Sequence, residues 1–147
     1  MKGTTGWSYK PYKPLLYEVG DVYISRVAPT ETSIHVEWIG KTRETYKVFY
    51  RVRGEKDFVY AGESRNAEFD IVGLESDTDY EFYVADGEKK SRVRLARCGE
   101  FVGTVVNYLH PDDEAYDFSG RYLCSPSLLR HPDGYLLSSM DVFRNGG

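Results

Sequence analysis

The seven residues Leu74-Glu75-Ser76-Asp77-Thr78-Asp79-Tyr80 stand where one alternating stretch ends and another begins, and they constrain the fold more than any other part of the chain. Their spacing reads as a tyrosine corner: the phenol of Tyr80 sends its hydroxyl back to upstream backbone, and Leu74 plugs the end of a two-sheet core. Such a device is architectural. It fixes how the chain crosses between sheets, so the region it organises is expected to bind or to space, and any chemistry must be sought elsewhere.

Periodicity agrees with that reading. From Asp21 the apolar residues recur at every second position, the mark of half-buried strands. Ile34, Val36 and Trp38 share one face and His35 and Glu37 the other, and Tyr46, Val48, Tyr50 and Val52 oppose Lys47 and Arg51. Phe69 and Ile71 precede the corner, and Tyr80, Phe82 and Val84 open the strand after it. Turn-forming pairs at Pro29-Thr30, Gly40-Lys41, Gly54-Glu55, Gly62-Glu63, Asp86-Gly87 and Cys98-Gly99 divide the stretch at regular intervals. Seven strands are therefore predicted, starting near Val22, Thr32, Thr45, Phe58, Ala67, Asp79 and Ser91. The expected fold is an all-β, immunoglobulin-like seven-stranded β-sandwich with a C-terminal β-hairpin extension, and Trp38, Tyr50, Leu74 and Tyr80 are its structural residues.

Here the chain resembles the fibronectin type III family. The resemblance rests on Trp38 on the second strand, Tyr46-Xaa-Val48-Xaa-Tyr50-Arg51 on the third, and Leu74-Xaa-Xaa-Xaa-Thr78-Xaa-Tyr80 at the corner, and it covers 21–98. Ser76 replaces the Pro often found two residues after the corner Leu, a small loss of turn rigidity. No Cys lies on the second or sixth strand, which disfavours a true immunoglobulin domain. Glu55 after Arg53-Gly54 removes the Arg-Gly-Asp adhesion signal of some family members.

The chain has 147 residues, room for one such sandwich and an appendage. No stretch approaches the roughly 18 apolar residues of a membrane span, and the Met1 end lacks the apolar run of a signal peptide. The default expectation is a cytoplasmic chain, monomeric or weakly dimeric, without a membrane partner. A net charge of -4 argues against nucleic acid, which demands a clustered basic surface. One basic cluster does exist: Arg51 and Arg53 on one predicted strand, with Lys89, Lys90, Arg92, Arg94 and Arg97 on another. It is expected to be a solvated sheet face paired across strands with Glu81 and its neighbours. Cys98 and Cys124 can form one bridge or stay reduced, and reduced thiols are the default without a secretion signal.

Residues 1–20 are expected to be an extended arm, because Pro11 and Pro14 interrupt its aromatics. Its Trp7, Tyr9 and Tyr12 are candidates for glycan contact. After Cys98, residues 101–109 (FVGTVVNYL) form an apolar, β-prone run, and 110–120 a polar loop. His131-Pro132-Asp133-Gly134 then sits between apolar runs, the signal of a hairpin. The hairpin cannot bury its own apolar face, so a larger sheet structure is expected to begin there.

Two resemblances concern chemistry. His110-Pro111-Asp112-Asp113-Glu114 is similar to the signature of PIG-L-type zinc-dependent deacetylases. That resemblance implies His110 and Asp113 as zinc ligands and Asp112 as general base, after a buried strand at 105–109. The family's Gly-Gly helix start and distant second His are missing, since Ala115-Tyr116-Asp117 follows and His131 lies in a turn. The residue types alone read as an acidic loop whose carboxylates are solvated. The tail at 124–141 resembles the opening strands of sialidase-like, BNR-type β-propellers, with Pro132-Asp133-Gly134 as the turn and Leu136-Leu137 in the second strand. Cys124 stands where that family has its substrate-carboxylate Arg, and no Asp-box repeat occurs. The expected organisation is an arm at 1–20, a fibronectin type III domain at 21–99 and the first strands of a propeller at 100–147. The function expected of it is that of a non-catalytic accessory module without cofactor or metal. It would position a propeller of the same protein, or contact a glycan or protein partner.

Overall fold

Alternation becomes strands almost where it predicts them. The computed structural model describes residues 22–40, 45–87, 89–115 and 122–143, with the backbone alone at 122–126 and 140–143. The arm with Trp7, Tyr9 and Tyr12, and the side chain of Cys124, lie outside the described residues. The strands are β1 (Val22–Pro29), β2 (Ser33–Gly40), β3 (Tyr46–Val52), β4 (Val59–Ser64), β5 (Glu68–Val72), β6 (Asp79–Asp86), β7 (Lys89–Lys90), β8 (Arg94–Arg97), β9 (Tyr122–Arg130) and β10 (Leu136–Phe143). One sheet runs β1-β2-β5, and the other runs β4-β3-β6 with β7 and β8 both along β6. The two pack as an all-β, immunoglobulin-like sandwich.

The core is the inward half of each alternation. Val22, Ile24, Val27, Ile34, Val36, Trp38 and Ile71 meet Tyr46, Val48, Tyr80, Phe82, Val84, Ala96 and Cys98, and Tyr50 packs against them half-buried. Burying one such Val, Ile or Phe stabilises the fold by about 1.5–3 kcal/mol. At the corner the Glu75 N–H donates to the Tyr80 hydroxyl at 2.8 Å, and the Leu74 N–H donates to Thr32 O at 3.0 Å, just beyond the end of the β2–β5 ladder. Asp77 takes a left-handed φ of 55°, which Asp tolerates better than most residues.

Three departures from simple alternation shape the surface. In β1 the register shifts between Ile24 and Arg26. This bulge lets both Ile24 and Val27 point inward and turns Arg26 out. In β4 a second shift accompanies Gly62, at φ 154°, where a Cβ would stand 2.6 Å from the Phe69 ring. The predicted seventh strand is broken into β7 and β8. Ser91 N donates to Val84 O and Ser91 Oγ accepts from Val84 N, so one buried residue replaces the ladder there.

The run at 101–109, expected to be strand-forming, is not a strand. Tyr108 N donates to Val27 O at 2.7 Å, but the next bond to β1 comes from a side chain, Asn107 Oδ1 accepting from Val27 N at 3.1 Å. Asn107 thus stands in for the backbone acceptor a ladder needs, and Tyr108 packs against the core instead of extending the sheet. Contact with the sandwich therefore continues past Gly99, as far as Ala115, whose carbonyl accepts from Arg92 Nη1.

The hairpin forms as β9–β10. His131 O accepts from Gly134 N and His131 N donates to Tyr135 O, with Gly134 at φ 92°. The left-handed position after a tight turn suits Gly. Leu128, Leu129, Leu136 and Leu137 are all exposed.

Candidate functional site

The segment His110-Pro111-Asp112-Asp113-Glu114 is folded down onto the sandwich. Asp113 N donates to His110 O at 3.0 Å, and Ala115 N donates to Asp113 Oδ1 at 2.9 Å, closing a tight turn. Asp113 Oδ2 accepts from Arg94 Nε at 2.6 Å and from Leu95 N at 3.3 Å. The Arg94 side chain is 5% exposed and that of Asp113 1%, and Arg94 Nη1 reaches across the sandwich to Ile24 O at 3.2 Å. The expectation of a solvated acidic loop is corrected here for Asp113: a buried guanidinium gives its carboxylate a partner, so burial is affordable. Asp112 stays at the surface, where its Oδ2 accepts from Arg53 Nη1 at 2.8 Å.

These bonds occupy most of the atoms that the deacetylase resemblance would give to zinc, with His110 Nε2 the exception. Both Asp113 oxygens accept from protein donors, and His110 Nδ1 accepts from Asp112 N at 3.0 Å. His110 Nε2 lies 3.6 Å from Asp79 Oδ2. Among the described residues no group of three or more His, Cys, Asp or Glu converges on this pair. The strand expected before the motif is absent as well. What the arrangement does is tie 110–115 to β6 and β8.

The same contacts dissolve the basic cluster read from the sequence. Arg51 Nε pairs with Glu81 Oε2 at 2.5 Å, as expected of a cross-strand face. Arg53 turns to Asp112 and Asp79, Arg97 to Asp79 and Asp77, and Arg94 is buried. Burial works against the Asp79 carboxylate, but Arg97, His110 and Arg53 outweigh it and hold its pKa below the ordinary value. The break at 91–93 separates Lys89 and Lys90 from the arginines of β8.

What remains on the outer face of the five-stranded sheet was not singled out from the sequence. Phe49 and Tyr83 stack with ring centroids 5.0 Å apart and planes at 14°, Phe58 meets Tyr83 edge-on at 4.9 Å, and Tyr60 leans on Phe49 at 5.6 Å. The guanidinium of Arg51 lies 4.2 Å above the Phe58 ring, and Lys90 Nζ lies 5.5 Å from that of Tyr83. Beside the stack a groove of about 340 Å³ is lined by Lys47, Lys89 and Lys90 around Phe49, Tyr83 and Ala85. The signal was available: Phe49 and Tyr83 are apolar at outward positions of β3 and β6, whose inward positions are already filled. At the far side of the sheet β4 is an edge strand with Val59 and Tyr60 exposed.

No model of a protein family and no curated protein matches the chain. Among solved structures it is similar to the FN5 domain of Drosophila Lar at 23% identity, covering 56% of this chain and 99% of that one with a TM-score of 0.47. It is also similar to a fibronectin type III domain from human KIAA0970 protein, at 10% identity, 67% and 92% coverage and a TM-score of 0.47. A third likeness is to the long form of the sensor domain of the anti-sigma factor RsgI4 in Pseudobacteroides cellulosolvens, at 14% identity, 61% and 99% coverage and a TM-score of 0.46. The fold assignment itself rests on the sheet order and the tyrosine corner described above.

Proposed function

We propose that the sandwich is a non-catalytic contact module that holds an acidic, extended protein segment on the outer face of β4, β3, β6 and β7. The observation that supports this is the lysine-lined groove beside the Phe49–Tyr83 stack. Lysines 47, 89 and 90 gather positive charge at this groove on a chain whose net charge is -4, which favours an acidic partner there. A protein segment fits better than a sugar. Stacking on a sugar needs an open ring face, but Phe49 and Tyr83 cover each other, and cations stand over Phe58 and Tyr83.

The test is calorimetric titration with a glutamate-rich peptide and, separately, a sulfated oligosaccharide. The peptide is expected to bind with strong salt dependence, and the Lys47→Glu/Lys90→Glu variant to lose about tenfold or more, roughly 1.4 kcal/mol. Preferential binding of the oligosaccharide, or peptide binding untouched by the double variant, overturns the reading.

A second reading concerns 122–143 as the opening of a sialidase-like propeller that the sandwich would position. The adjacent pairs Leu128-Leu129 and Leu136-Leu137 favour it, because neighbouring strand residues point to opposite faces and all four are exposed. A hairpin apolar on both faces is suited to a place between two covering layers. Limited proteolysis tests it: cleavage within 122–143 should be faster than within 22–115, and equal protection would count against an uncovered hairpin.

A further inference from the structure

The lysine groove has a floor, and strand register shows how it is made. Lys47 stands opposite Ala85 and Ala85 opposite Lys90, so the three form one row across β3, β6 and β7. Residues directly opposite in a sheet share a face. Two strand spacings put the lysine Cα atoms about 10 Å apart, and between them stands only the methyl group of Ala85. The next outward row, Phe49 opposite Tyr83, walls one end of this notch with its stacked rings.

The cations around the notch differ from the arginines of the sandwich. Arg26, Arg51, Arg53, Arg94 and Arg97 each meet a carboxylate. Lys47 and Lys90 have no ion pair among the described residues, and Lys90 Nζ instead lies 5.5 Å from the Tyr83 ring. Glu63, set opposite Lys47 on its other side, accepts from the Tyr60 hydroxyl at 3.4 Å. Lys89 adds a third ammonium to the lining.

Charge density separates the anions that could enter. Same-face side chains of an extended segment recur about every 6.7 Å, so a glutamate-rich segment brings one carboxylate, with one charge, into the notch at a time. A phosphorylated side chain brings about -1.5 to -2 charges and three acceptor oxygens on a single phosphorus. Lysine suits that group, because its ammonium is a compact point charge on a flexible stem that can swing over Ala85 from either side.

We infer that the notch over Ala85 takes a phosphate monoester, carried on a phosphorylated side chain of the bound segment; this rests on the reading of the face as a contact surface for an acidic protein segment. Lys47 and Lys90 hold the phosphate oxygens from opposite sides. Ala85 determines specificity, since a large side chain in its place would fill the space the phosphate needs.

The experiment is calorimetric titration of the full chain with peptides of one sequence that carry phosphoserine, phosphotyrosine, glutamate or serine at a central position. Vesicles containing an anionic phospholipid are titrated in parallel. A phosphorylated form should bind about tenfold or more tighter than the glutamate form. Lys47→Ala and Lys90→Ala should each remove that preference. Ala85→Leu should remove it while leaving the glutamate form its wild-type affinity, and Lys56→Ala, outside the groove, should change neither. Melting curves of the variants establish that each is folded. Equal binding of phosphorylated and glutamate forms overturns the phosphate site and leaves the contact surface standing, as does a preference that survives in Ala85→Leu. Binding of no peptide overturns both, and binding of the vesicles alone assigns the lysines to a lipid surface instead.

Discussion

Two loops are each fastened to this sandwich by one buried side chain, and by different chemistry. At 74–80 the fastener is neutral: the Tyr80 hydroxyl accepts from a backbone N–H five residues upstream. At 110–115 it is charged: the Asp113 carboxylate meets the Arg94 guanidinium, nineteen residues away and on another strand. The first device is local and forms from its own short sequence. The second exists only when two distant segments meet, and each of its halves is costly to bury without the other. Asp79 joins the two, since it begins β6 just after the corner and faces His110, Arg53 and Arg97.

The contrast predicts unequal consequences. Asp113→Ala takes the carboxylate away from the buried Arg94 guanidinium and should cost about 3–5 kcal/mol in urea denaturation. Replacing both, as Arg94→Met with Asp113→Leu, should recover much of that loss, because the desolvation of two charges disappears with them. An Asp113→Ala midpoint equal to wild type would mean the ion pair is not the fastener. Tyr80→Phe keeps the ring but leaves the Glu75 N–H without its acceptor, so a smaller loss of about 1–3 kcal/mol is expected. If the tyrosine variant proves the weaker of the two, the ranking of charged over neutral fastener is reversed.

Acid should act at the joint between the loops. The folded-state pKa of Asp79 is held below its ordinary value of 3.8. Its contribution is therefore fully present above that value and is lost as pH falls through the lower folded one. The acid limb of a stability profile should flatten in Asp79→Asn, and an unchanged limb would remove Asp79 from the connection. The smallest effect belongs to Cys98, whose N–H donates to Thr78 O at 2.9 Å beside the corner. Burial pushes its thiol pKa up from 9.0 to about 11. A raised pKa stabilises the fold below the unfolded value and loses that contribution as pH climbs from about 9 to 11. Native protein should accordingly resist alkylation at Cys98 until it opens, and rapid labelling at neutral pH would show the thiol to be more accessible than its packing implies.

The corner was legible because its instruction is local: Leu74, Thr78 and Tyr80 lie within seven residues, and Tyr80 finds its acceptor role within five. The strand starts were legible for the same reason, since a period of two is written in consecutive residues, whereas the bulge in β1, the shift at Gly62 and the Ser91 break were not. The aromatic face was half legible. Outward Phe49 and Tyr83 could be read from parity, but their stacking needs the β3–β6 register that places them opposite each other.

By itself the sequence determined the alternation, the turns and the corner, and with them the all-β sandwich, because each depends on neighbours along the chain. Only the tertiary structure decided what the charged residues do. Arg53, Arg94 and Arg97 look alike in sequence beside Arg51 and Lys90, yet three are drawn into acidic partners at 77–79 and 112–113, while Lys90 stays beside the aromatic face. A charge acts through whatever stands within a few ångströms of it. For Asp113 that neighbour is Arg94, and for His35 it is Asp70, partners that the folding of distant segments brings into contact.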